Sequence, residues 1–131
     1  EGWGYGYLEA LFEGPPRLIL ELHGHNALAI AHTIEITTRG DLGRARELAE
    51  RLEVRVASLG LDVAVVGRDP VVFHAMTCET LRHAHEQGIE AYHIEVPAAV
   101  RWCRGRTYRH LPLLGVAVAR ALAEVTVELL Q

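Results

Sequence analysis

Lysine is missing from this chain: all 13 of its basic residues are arginine. They face 17 acidic residues, and the formal net charge is −4. No basic excess exists to draw in nucleic acid by bulk charge, and nucleic acid is not the expected partner. Arginine in place of lysine is a weak thermophile signal that codon bias explains equally well. Cysteine is scarce too. Cys78 and Cys103 are too few for a disulfide scaffold, which predicts free thiols in a reducing cytoplasm. No apolar run approaches the ~20 residues that a membrane span needs, and no secretory leader is visible. The first residue is not Met, which predicts a processed start or a fragment boundary. A phosphate-binding glycine loop, a dinucleotide-binding glycine triad and a G-x-S-x-G elbow are all absent.

Half of the residues are hydrophobic and the mean hydropathy is +0.10, which excludes a disordered chain. A length of 131 residues suits one domain with a real core, so 1–131 is read as a single α/β domain. Strands are expected at Arg17–Leu22, Thr33–Thr38, Leu61–Val66 and Ile89–Val96. Leu61–Val66 is apolar throughout, which predicts a central strand. Asn26–His32 is a short connection with room for a helical turn. Asp41 is the expected N-cap of a helix carrying Leu42, Ala45, Leu48, Ala49 and Leu52 at helical spacing. Asp69-Pro70 predicts a second helix start, with Gly88 as its stop, and Leu113–Leu130 a last amphipathic helix. Alternating strands and helices predict a layered α/β/α fold whose sheet is mostly parallel or mixed.

Two strand-like segments carry titratable residues: Leu20-Glu21-Leu22-His23-Gly24-His25 and Ala91-Tyr92-His93-Ile94-Glu95-Val96-Pro97. Such groups are costly in a buried sheet unless they are paired or bound to something. Ligands of open α/β sheets sit beyond the carboxyl ends of the strands, which predicts one polar site at that edge. Side chains two apart in a strand share a face, so His23 and His25 can meet one ligand, as can His93 and Glu95. Imidazole suits zinc, and a catalytic zinc usually has three protein ligands. His23, His25 and His93 are the candidate metal ligands. Glu21, on the His23 side, is placed to orient that imidazole from behind. Glu95 is the candidate general base. The bland alternatives are a strand-capping histidine, a Glu21–Arg pair and a Glu95–Arg101 pair. Arg101, Arg104, Arg106 and Arg109 cluster beside Trp102 and Tyr108, which suits a carboxylate, a phosphate or RNA. His83 and His85 diverge on a helix, His32 and His74 stand alone, and Cys78 reads as a mid-helix core thiol.

His23-Gly24, the following strand and Gly40, the amphipathic helix and the run Gly88–Arg101 together resemble the zinc-dependent amidohydrolases of the carboxypeptidase-like clan. The poly-gamma-glutamate hydrolase and N-formylglutamate amidohydrolase branch is the most similar. The resemblance spans roughly residues 17–130. It implies a carboxypeptidase-like α/β/α fold, His23 as a zinc ligand and Glu95 as catalytic base. It also implies Arg101, with Arg104 nearby, on a substrate carboxylate. The implied reaction is hydrolysis of an amide in a small acidic, glutamate-like substrate or peptide. The chain departs from the family in one respect, for no His-x-x-Glu motif precedes His23. Three readings follow: an N-terminal strand and metal-ligand loop are missing, His25 or His93 substitutes, or the metal is lost. The alternative function is a non-catalytic module that binds an anionic ligand or RNA through Arg101–Arg109. Assembly with a partner chain, through the last helix or the aromatic N-terminus, is the third.

Overall fold

The computed structural model describes residues 10, 12–75, 78–101 and 113–131. Four strands form one sheet in the order β1-β4-β2-β3. They are β1 (Leu18–His25), β2 (Thr33–Thr37), β3 (Asp62–Val65) and β4 (Glu90–Pro97). β1 runs parallel to β4 and β2 parallel to β3, while β2 and β4 meet antiparallel. The sheet is therefore mixed, two parallel pairs joined back to back. A turn of 3-10 helix, Leu28–Ile30, fills the connection after β1.

Alternation along each strand gives the sheet two unlike faces. Tyr92, Ile94 and Val96 of β4, Ile34 and Ile36 of β2, and Val63 and Val65 of β3 form the apolar face. Helices α1 (Leu42–Val56) and α4 (Leu113–Leu130) cover it. Ala45, Leu48, Ala49 and Leu52 of α1 and Val118, Ala121, Leu122 and Val125 of α4 complete the main core. The Asp41 carboxylate accepts from the Arg44 amide at 3.1 Å, the N-cap expected from sequence. On the opposite face, α2 (Glu79–Glu86) packs Leu81 and Ala84 against Ile19 of β1 and Ala91 of β4. A short helix α3 (Ala98–Arg101) follows β4 directly.

Two expectations need correction. β3 is an edge strand, not a central one. Its apolar residues reflect contact with the core under α1 rather than strands on both sides. The helix expected from Asp69 begins only at Glu79. Asp69 accepts from the Val65 amide at 3.0 Å and from the Arg68 guanidinium at 2.8 Å, so it closes a turn instead of capping a helix. Beyond it, the Glu35 carboxylate takes the backbone N–H groups of Val72 and Phe73 at 2.8–3.0 Å. Those amides are drawn to the sheet, and residues 70–75 take no helical turn. Gly88 does end α2 as expected, in the left-handed conformation at φ +69°.

Candidate metal centre

The second face of the sheet carries polar residues where its upper half would otherwise be apolar. Register sets them in two rows. Glu21 of β1 lies opposite His93 of β4, which lies opposite Thr37 of β2. His23 of β1 lies opposite Glu95 of β4, which lies opposite Glu35 of β2. β1 extends to His25, beyond the expected end at Leu22, so these rows sit within the strands. The expected place beyond the strand ends is thereby corrected: the site is a patch on the sheet face.

Glu21, His23 and His93 each offer one ligand atom within 4.8 Å of the others, a group that could hold a metal ion. Glu21 Oε1 is 2.6 Å from His23 Nε2. The His23 and His93 rings lie 4.3 Å apart between centroids, tilted by 31°. His93 is 6% exposed and Glu95 8%, and His93 Nε2 lies 3.6 Å from Glu95 Oε1. Four buried side-chain atoms lack a hydrogen-bond partner among the described residues: Glu21 Oε2, His93 Nδ1, Glu95 Oε2 and Thr37 Oγ1. All four belong to these two rows. A buried polar atom left unsatisfied costs about 1–3 kcal/mol, so their concentration in one patch calls for ordered water or a bound ion.

The patch floors a cavity of about 520 Å³ walled by Val72, Phe73, His74 and Ala75 and by Cys78, Glu79 and Thr80. Cys78 stands at the N-cap position of α2, not in mid-helix, and its thiol donates to Glu21 Oε1 at 3.5 Å. Burial pushes that thiol up, and the Glu21 carboxylate pushes it the same way, which outweighs the opposite pull of the Leu81 and Thr80 amides. Burial also pushes Glu21 up, but its polar neighbours Thr80, His23 and Cys78 outweigh it and leave its carboxyl below the usual range. His93 is lowered by burial first and by the neighbouring His23 second, against the opposite pull of Glu95 and Glu21.

Both shifts act on stability in the same direction. A buried imidazole with a lowered pKa is penalised once the unfolded chain binds protons, below about pH 6.5. A carboxylate with a lowered pKa loses its contribution as pH falls through its folded value. The metal-free protein should therefore hold its urea midpoint above about pH 6.5 and lose stability steadily below it. A midpoint constant from pH 7 down to about 4 would contradict this account.

His25 does not join the cluster. Its Nε2 donates to the Thr33 carbonyl at 2.9 Å, and its Nδ1 accepts from the Ala27 amide at 3.3 Å. Both nitrogens serve the backbone of the turn, and the ring stacks on Phe73 at 5.4 Å. Arg101 does not reach the patch either. It crosses Gly24, whose position alternates with His23, and donates to the His25 carbonyl and to Asn26 Oδ1, both at 2.8 Å. A Cβ on Gly24 would come within 2.3 Å of Arg101 Nε, so glycine there admits the guanidinium. Arg101 thus ties the end of β1 from the apolar side and cannot pair with Glu95. Arg104, Arg106, Arg109 and Cys103 lie outside the described residues.

Glu35 escaped the reading of the sequence. It is 1% exposed, directly opposite Glu95, and binds backbone amides instead of an arginine. The available signal was a glutamate between Ile34 and Ile36 in a strand with wholly buried neighbours. No helix among the described residues is long and apolar enough to cross a membrane. Compared with known proteins, the chain matches no family model and no curated sequence.

Proposed function

We propose that this chain is a zinc-dependent hydrolase that cleaves an amide bond. The observation behind the reading is the set of orphaned buried atoms around Glu21, His93 and Glu95, beside a second imidazole, His23. Two imidazoles and one carboxylate are a donor set that catalytic zinc uses while keeping a position open. Glu21, His23 and His93 would hold the ion. When bound, it supplies a Lewis acid that polarises a carbonyl and lowers the pKa of water.

The protein's own part is proton handling. Glu95 is the proton acceptor, with Oε2 free of protein partners among the described residues. His93 Nε2 lies 3.6 Å from Oε1, the other oxygen of that carboxylate. Val72 and Phe73 line the cavity beside it. The resemblance to glutamate-directed amidohydrolases adds a glutamate-like substrate to the proposal. Arg101 points away from the patch, so a substrate carboxylate falls to Arg104 in this reading.

Elemental analysis of the purified, unchelated protein tests it. About one zinc per chain is expected, lost in His23→Ala and in His93→Ala and kept in His25→Gln. A chain that takes up no metal after zinc is supplied overturns the proposal.

A further inference from the structure

We propose that Thr37 positions His93 for the metal. Its hydroxyl takes the hydrogen bond of the Nδ1 proton through one ordered water and leaves Nε2 as the nitrogen that meets the ion. The inference rests on the metal reading above. Thr37 of β2 lies directly opposite His93 of β4. Side chains so placed in an antiparallel pair share a face, with Cβ atoms about 4.5–5.5 Å apart. Thr37 is 2% exposed and His93 6%. Thr37 Oγ1 and His93 Nδ1 both lack a partner among the described residues. The two orphaned atoms are neighbours in one buried row, and a water between them satisfies both.

The tautomer follows from the other nitrogen. Nε2 lies 3.6 Å from Glu95 Oε1, beyond hydrogen-bond length, so that carboxylate does not hold a proton on Nε2. The proton belongs on Nδ1, where the bridged hydroxyl accepts it. His25 is the contrast, for a carbonyl and an amide occupy both of its nitrogens. An imidazole that binds metal ordinarily donates its second N–H to an oxygen, which fixes the ring and raises its basicity. Threonine suits the task because its β-branched side chain has few rotamers. Ile34 and Ile36 anchor the same strand from the apolar face. Thr37 adds no ligand, so the position that hydrolysis needs stays open.

Nitrogen-15 NMR of the metal-free protein, at a pH where the imidazoles are neutral, should show His93 protonated on Nδ1. Thr37→Val keeps shape and branching. It should shift the His93 proton toward Nε2 and weaken zinc binding about 10–100-fold, read by competition with a chromophoric chelator. Thr37→Ser restores the hydroxyl and should recover most of that affinity. A threonine that only packs would give the reverse order: Thr37→Val would bind zinc as tightly as the unmodified protein, and Thr37→Ser, which lacks the methyl, would be the damaged variant. That order overturns the inference, and so does a proton on Nε2 of His93 in the unmodified protein. Should Thr37→Val not fold, Thr37→Ser is compared with Thr37→Ala. Loss of zinc affinity in Thr37→Ala alone is then expected, and equal affinity overturns the inference. No zinc uptake by the unmodified protein overturns the metal reading and this inference with it, whereas zinc binding that ignores Thr37 overturns this inference alone.

Discussion

Glu95→Gln is expected to keep its metal and its fold and to lose about 10²–10⁴-fold in amide hydrolysis, measured on a panel of glutamyl amides. The substitution preserves size and one oxygen at a position only 8% exposed. It removes the capacity to take a proton, which is the one property the proposed role requires. Glu95 is not among the candidate ligands, so zinc content should stay at the level of the unmodified protein. That separation is the force of the experiment. Lost metal would assign Glu95 to the coordination sphere, and undiminished turnover in a metal-loaded variant would end its candidacy as base.

Glu35→Ala should destabilise the chain by about 2–4 kcal/mol in urea denaturation, a large share of the 5–15 kcal/mol that holds a typical domain. Its carboxylate binds the Val72 and Phe73 amides, and hydrogen bonds to charged groups contribute about 1.5–3 kcal/mol each. Relief from the facing Glu95 carboxylate offsets part of that loss, which is why the lower end of the range is included. Glu35→Gln keeps one acceptor oxygen and should fall between the two. The segment over the cavity should also open, seen as faster amide exchange at Val72 and Phe73. A loss below about 0.5 kcal/mol would mean that water satisfies those amides as well as the carboxylate does.

Much of this arrangement was legible because strand alternation is a local property. Leu18, Leu20 and Leu22 against Ile19, Glu21 and His23 could be assigned to faces from spacing alone, and so could His93 with Glu95. Asp41 at the start of α1 and the limits of α4 were equally local. Pairing was not. Nothing near Glu21 announces that His93 lies opposite, and nothing near Glu95 announces Glu35. The helix expected from Asp69-Pro70 failed for a related reason. Its cap signal was sound locally, but the Asp69 carboxylate turns back to the Val65 amide and Arg68, and a carboxylate on β2 holds the Val72 and Phe73 amides. His25 looked equivalent to His23 by spacing, yet the turn after β1 claims both of its nitrogens.

The parallel pairing of β1 with β4 has a kinetic consequence. Its partners are distant in sequence, since residues near 20 must find residues near 92, whereas β2 and β3 are separated by little more than one helix. Loop-closure entropy makes the longer pairing the slower one to form. Until it forms, the chain holds Glu21 and His23 on one segment and His93 on another, with no shared coordination site. Zinc should therefore find no assembled site on the unfolded chain, and its effect on the refolding rate reports how far β1 and β4 have paired in the transition state.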